Sequence, residues 1–531
     1  MLIPTPAIDA LPSDATATVS ARLVARPTLA EAIFAFVVAC ALGKLFAAWA
    51  TGFTGDEAYT IVIGRILSLS YFDHPPLHQW MLHGFAAVLG EASVRVPFVL
   101  MALAISLPLY GSTRRLFGTK SALWTLFAFN SAPYFMAWPD GVIVPDIPLF
   151  LCLTAAIWAV SEILFGPPRG KAALWVLWLA AGLAFGCAGL SKYSAIFAPM
   201  GLLCFLAGAP RHRPWLLRPQ PYAGAALALA MSAPVIAWNY QNHWASFLFQ
   251  SARAATDSTL DLPPLLAFAE TVGAQVALLS PWIGVPLVIA LITASRIRNP
   301  NCAERFLLWL VVMPLLFFML MPFRGKLTIP HWFNLGWLFA FPLLGRWLSA
   351  KPEKWLRAWA HKCAALSATV FAAYVAYVVV GPLWLAAGIN VRFRDPTQWS
   401  YDWRGLTEAT AWRAPGSGAP AFVAVPSWRT GGKVGVAFGP AVPVCAFVDP
   451  REFAFICDTR TRLGEDALIV TLKEDTEHSL RVLAPFFERL GPSEEITVGR
   501  GELPEQIVTL TRGYTLLRSY PLRYGNVTAT R

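Results

Sequence analysis

The chain is poor in charge. Only 14% of its 531 residues are Asp, Glu, Lys or Arg, against about 25% in an ordinary soluble protein. Its high hydrophobicity excludes a disordered chain, and the charge deficit argues against a soluble enzyme. The eight cysteines include no CxxC pair and no metal-ligand spacing, so no zinc site is indicated. There is no basic stripe interleaved with aromatics of the kind that grips nucleic acid, so a nucleic-acid partner is not expected. Internal repeats and low-complexity tracts are also absent.

What remains is apolar. Hydrophobic residues make up 56% of the chain, and mean hydropathy is +0.53. This composition points to a polytopic membrane protein. The 22 Trp and 35 Phe then read chiefly as lipid-facing and interfacial belt residues. The charge is unevenly placed. Residues 389–531 carry 17 Lys+Arg and 16 Asp+Glu, against 25 and 15 in the much longer stretch 1–388. The chain therefore divides into a polar segment 1–28, a membrane module 29–388 and a soluble domain 389–531. Cys445 and Cys457 fall in that soluble domain and could pair if it is exported. The other six cysteines read as small packing residues.

Apolar stretches of membrane-spanning length recur near 29–50, 96–113, 121–138, 146–165, 172–190, 193–209, 220–238, 271–295, 305–323, 331–349 and 364–388. That makes about eleven spans, with 264–295 open to a reading as two short helices because Pro281 and Pro286 interrupt it. No small-residue cleavage site follows the first span, which reads as a signal-anchor. With the N-terminus in the cytoplasm, 18 of the 25 basic residues in 1–388 fall inside and five outside: Arg65, Arg95, Arg253, Arg324 and Lys326. The positive-inside rule is met by this register. It puts 389–531 on the outer side, the periplasm of a Gram-negative cell.

The outer loop 51–95 holds two amphipathic pieces, 56–70 and 76–89, expected to lie flat at the membrane surface. The soluble domain reads as mixed α/β. AFVAVPS, VGVAF, PVCAFV and DALIVTL are short strand-like runs, SLRVLAPFFERLG has helical spacing, and ITVGRG with QIVTLTRGYTLLRSYPL supplies closing strands. APGSGAP at 414–420 reads as a loop.

Nine of the fifteen acids in 1–388 lie on the outer side in this register. Asp56 and Glu57 follow the first span in FTGDEAY. Asp73 and His74 sit in YFDHPPLHQW. Asp140 and Asp146 sit in WPDGVIVPDIP, His243 in NYQNHWASF, and Arg324, Lys326 and His331 in RGKLTIPHW with its preceding residues. Lys192 lies between two apolar runs, where an ionisable group is functional by default. The topology predicts that these distant pieces meet around one cavity at the membrane surface. Some also suit bland jobs: Asp56 and Glu57 a helix's first turn, Asp140 a turn, Asp146 a cap, and His243 and His331 interfacial hydrogen bonding.

Carboxylates beside cations at this depth fit one chemistry. Lys and Arg neutralise a lipid phosphate and stabilise it as a leaving group, while a carboxylate takes a proton from an incoming hydroxyl. Sugar transfer from a polyprenyl phosphate needs both and needs no nucleotide. The missing phosphate-cradling glycine loop is then no surprise.

The order DE, FDHPPL, a span opening RVP and ending TRRLFG, then PD–P resembles the GT-C membrane glycosyltransferases. It is most similar to family 39 and its bacterial relatives, the protein O-mannosyltransferases and lipid A aminoarabinose transferases. The likeness is firm over about 50–210 and looser to 388. It implies a mainly helical GT-C module, an outward-facing cavity, a polyprenyl-phosphate-linked sugar donor and inverting single displacement. It also implies Asp56 as base, with Glu57 beside it, and donor or acceptor contacts at Asp73, His74 and Asp146. Lys192, Arg324 and Lys326 are expected at the donor phosphate, and His243 and His331 at the substrate. No cofactor is expected; a divalent cation is allowed but not required. The acceptor class stays open among lipid, glycan and protein. The runner-up is a transporter or flippase of lipid-linked sugars, which would bind the same group without cleaving it.

Overall fold

The computed structural model describes residues 27–137, 141–255, 263–324, 328–380, 403, 405–409, 420–447, 450–454, 456–498 and 506–520. Asp140, Asp257, Asp261, Lys326, the loop at 414–419 and the start of the soluble domain lie outside them, as do the side chains of Arg253 and Arg324.

Among the described residues, seven helices are long and apolar enough to cross a membrane: Leu29–Ala50, Glu91–Phe117, Asp146–Leu164, Lys171–Ser191, Pro219–Gln241, Ala303–Leu320 and Glu353–Val379. The pair Pro264–Leu279 and Pro281–Ser295 meets at a bend of 110°. Pro281 opens the second helix, where its ring and missing N–H end the first. Pro286 sits inside the helix without breaking it. Three of the eleven expected spans are shorter helices: Thr119–Ser131, Tyr193–Gly208 and Asn334–Ser349. The first and last of these are buried at the centre of the bundle. Thr125 Oγ1 lies 3.3 Å from the Phe341 carbonyl, and a Cβ on Gly345 would sit 2.0 Å from Thr125 Oγ1. A helix apolar on every side is what such a central position needs.

The outer loop departs from expectation. Gly55–Gly64 forms a helix, yet nearly all of it is buried. It does not lie on lipid: the soluble domain covers it. Thr54 caps it by accepting from the Glu57 N–H at 3.2 Å, and Glu57 accepts the Thr54 N–H at 2.9 Å. This reciprocal box is a stable helix start. The second piece, Leu77–Leu89, begins after Pro75–Pro76 as read from sequence.

Among the described residues, the C-terminal domain carries a five-stranded sheet: β1 Phe422–Val425, β2 Val444–Ala446, β3 Ala467–Leu472, β4 Phe487–Val498 and β5 Gln506–Leu516. Its order is β2-β1-β3-β5-β4. The β1 strand pairs in parallel with β2 and β3, while β5 pairs antiparallel with β3 and β4. Cys445 and Cys457 are disulfide-bonded. SLRVLAPFFERLG is α-helical to Leu483 and 3₁₀-helical through Phe486; its last residues open β4.

One assignment is overturned. VGVAF lies in a helix, Trp428–Phe438, not a strand. Its glycines are poor helix formers, so local propensity misleads. Ser427 caps it, and its glycine face allows backbone-to-backbone packing on Gly55–Gly64. A Cβ on Gly432 would lie 2.3 Å from the Tyr59 nitrogen, and one on Gly435 2.6 Å from Val62 Cγ2. Arg65 donates to the Gly435 carbonyl at 3.0 Å, and Lys433 donates to the Phe53 carbonyl at 2.6 Å. Gly432→Val should unseat the domain while sparing its sheet. The expected outcome is faster limited proteolysis at the Trp428–Phe438 helix; unchanged protection there would show that the glycine contact is dispensable.

Candidate active site

A cavity of about 520 Å³ opens between the membrane module and the soluble domain. Asp56, Asp73, His74, Asp146, Lys192 and His331 all line it, although they come from five separate stretches of chain. Tyr59 and Thr60 follow Asp56 on the same helix face, three and four residues on. Tyr193, Gln250, Trp332 and Asn334 add polar groups to the wall, and Phe197, Phe249, Phe317 and Phe318 add apolar ones.

Local folding explains each placement. Because Thr54 and Glu57 satisfy the helix start, Asp56 is released from capping and faces the cavity, its side chain 38% exposed. Asp73 and His74 lie in a tight turn in which the Tyr71 N–H donates to the His74 carbonyl at 3.3 Å. Gln250 donates to the Asp73 carbonyl at 2.6 Å. His74 Nε2 and Asp73 Oδ2 are 3.8 Å apart. Asp146 opens the Asp146–Leu164 helix, and Lys192 caps the C-terminus of Lys171–Ser191, an end that favours a cation. Lys192 Nζ reaches both Asp146 oxygens, at 2.9 and 2.8 Å. Beneath the wall lies His78, 1% exposed. Burial pushes its imidazole well below the ordinary value, and the nearby His74 and Lys192 act in the same direction. It is therefore a neutral ring at physiological pH.

Two expected site residues are elsewhere. Glu57 has no exposed surface and points away from the cavity. It pairs with Arg95 and accepts the Val142 N–H at 2.9 Å and the Ile143 N–H at 3.3 Å. Arg95 also donates to the carbonyls of Ala48, Thr51 and Gly52 at 2.8, 2.8 and 2.6 Å. Gly141, at φ +87°, passes so close that a Cβ would lie 2.2 Å from Glu57 Cδ. Glu57 thus ties three segments together. His243 is exposed and outside the cavity wall. It lies in a left-handed turn with Trp244, at φ 55° and 61°. The following segment, through Phe249 and Gln250, reaches the wall instead. Arg324 ends a short turn, Pro322–Arg324, in the segment that carries His331.

Residues 73–238 match the family described as dolichyl-phosphate-mannose-protein mannosyltransferase. The lipid A galacturonosyltransferase RgtD of Rhizobium johnstonii is 25% identical over 264 residues, covering 49% of this chain and 53% of that protein. The chain is thus matched over about half the length of this curated relative. ArnT from Cupriavidus metallidurans bound to undecaprenyl phosphate aligns over 90% of this chain and 97% of its own, with TM-score 0.62 and 17% identity. Its apo form aligns over 91% and 98%, with TM-score 0.60 and 17% identity. The chain has an ArnT-like GT-C membrane fold.

Within the GT-C fold, the soluble domain closes the cavity, and sequence reasoning missed this. Trp428, Arg429 and Glu452 all line it. The Trp428 ring lies 5.0 Å from that of Tyr59. Arg451 sits over the rings of Phe72 and Phe249, at 5.1 and 5.8 Å. Tyr59 and Thr60 were readable from their spacing to Asp56. Nothing local marks Trp428 or Arg429, because their role depends on docking across more than 350 residues of chain.

The Glu57 pair yields a stability prediction. Burial raises the Glu57 carboxyl, but Arg95 and the N–H donors of Thr54 and Val142 outweigh it and hold it below its ordinary 4.5. The stability it supplies is present above that value and is lost as pH falls through the lower folded one. Glu57→Gln leaves Arg95 buried without its counter-charge and should cost about 3–5 kcal/mol, read as a fall in Tm. It should also remove this group's part of the acid-side loss of stability. A Tm equal to wild type would sink the structural role.

Proposed function

We propose that the chain is an integral membrane glycosyltransferase of the bacterial inner membrane. It transfers a sugar from a polyprenyl-phosphate donor to a lipid, glycan or protein acceptor at the periplasmic face. The observation that carries this reading is the single cavity in which Asp56 and the Asp146–Lys192 pair share a wall with Asp73, His74 and His331. The names of its relatives support it: one is a lipid A galacturonosyltransferase, and another holds undecaprenyl phosphate.

The chemistry is a single displacement. The acceptor hydroxyl (or amine) attacks the anomeric carbon as the bond to the phosphate oxygen breaks, and configuration inverts. Asp56 takes the acceptor proton. Lys192 stabilises the departing phosphate, with Arg324 and Lys326 expected on the same side. Before the donor arrives, Asp146 neutralises Lys192, so the ammonium is held in place without a bound anion. Asp73, His74 and His331 hold polar groups of donor or acceptor. This scheme uses no cofactor, and a divalent cation is not one of its parts.

Two observations support the outer placement. Basic residues favour the cytoplasmic loops in the register set by Lys and Arg, and the Cys445–Cys457 bond suits an oxidising compartment. A phosphatase reporter fused after Arg531 should be active in the periplasm; an active reporter only in cytoplasmic format would reverse the topology.

The decisive assay uses full-length protein in liposomes with radiolabelled polyprenyl-phosphate sugars and a membrane extract as acceptor. Label should move to a new product as polyprenyl phosphate is released. Asp56→Asn should lower turnover by about 10²–10⁴-fold while donor binding survives. Normal turnover in that variant would remove Asp56 as base. An intact donor that merely changes leaflet would replace the transferase with a flippase.

A further inference from the structure

We infer that Arg429, in the soluble domain, is a positioning residue for the Asp56 carboxylate, which makes that domain a working wall of the transfer site. The inference rests on Asp56 being the base, as proposed above.

Arg429 Nη2 lies 3.7 Å from Asp56 Oδ2, and both side chains line the cavity. Helix stability does not explain an arginine here. It occupies the first turn of Trp428–Phe438, the end of a helix where a cation is unfavourable. Fold stability does not explain the pair either. The two side chains are 44% and 38% exposed, and an ion pair so open to water adds little.

The surroundings hold the guanidinium in place. It stacks 4.8 Å from the Trp428 ring, and that ring packs on Tyr59, one turn beyond Asp56. The arginine stem crosses Gly55, where a Cβ would lie 3.3 Å from Arg429 Cγ. Gly432 and Gly435 then lock the whole helix onto the Asp56 helix. The base and its cation therefore ride on two helices in backbone contact.

Among the described residues, the nearby charged groups are placed as follows. Glu57, next in sequence, turns into Arg95. Lys192 is held by Asp146. Asp73, His74, His331 and Glu452 share the cavity wall. Arg429 is a cation that the structure brings to Asp56 among the described residues. A positive charge at this distance favours the ionised carboxylate and fixes which oxygen is turned to the acceptor.

The test measures the pH dependence of kcat/KM for label transfer by the full-length protein in liposomes. In Arg429→Gln the acidic limb should move up by roughly half a pH unit, because the carboxylate then protonates more readily. Arg429→Lys, which keeps the charge, should hold the limb near wild type. A limb in Arg429→Gln that coincides with wild type overturns the inference. If Arg429→Gln is inactive at every pH, the lysine variant decides: a recovered rate with the wild-type limb supports the inference, and a folded but inactive protein overturns it. Asp56→Asn run alongside separates the two failures. Turnover in that variant sinks the base assignment itself; an inactive Asp56→Asn with an unmoved Arg429→Gln limb sinks only the role of Arg429.

Discussion

A carboxylate with no exposed surface must be matched by a partner, and in this protein the match between Glu57 and Arg95 anchors the site. Desolvating either ion alone is costly, so the pair commits everything bonded to it. Arg95 holds the end of the first membrane helix through three carbonyls. Glu57 holds its own helix start and the turn at Val142–Ile143. The first membrane helix, the buried helix after it and the approach to Asp146 are thereby fixed relative to one another. Asp56, one residue away, inherits this rigidity while remaining open to the cavity.

That division of labour between adjacent acids is set by helix geometry. Glu57 occupies the third helical position and closes the capping box with Thr54, which turns it inward. Asp56 lies about 100° around the helix and faces the cavity. Two neighbouring carboxylates thus have different environments: one is dry, paired and held ionised, and the other stands at a water-accessible wall.

The soluble domain completes the arrangement. A helix rich in glycine would be marginal by itself, and it is stabilised by docking. The same missing side chains that weaken it locally let it approach the Asp56 helix closely enough to present Trp428 and Arg429. The 55–64 helix is therefore sandwiched, which explains why an amphipathic pattern that suits a membrane surface belongs instead to a protein interior. The spacing of apolar residues tells that one helix face is apolar, not whether lipid or protein covers it.

The membrane spans were legible in the sequence, because long apolar stretches are a local property that the bilayer reads directly. The mixed α/β character of the C-terminal domain was legible too, as were six residues of the cavity wall. Asp56, Asp73, His74, Asp146, Lys192 and His331 all fall on one side of the predicted topology, at a span end or in the outer loop, which placed them at the same depth and made their meeting possible. The remaining features came from contacts between distant segments. Glu57 became structural, His243 was left outside the wall, VGVAF became helical, and Arg429 arrived beside Asp56. Each of these depends on partners distant in the chain, and neither burial nor pairing across such separations is encoded in the local residue pattern.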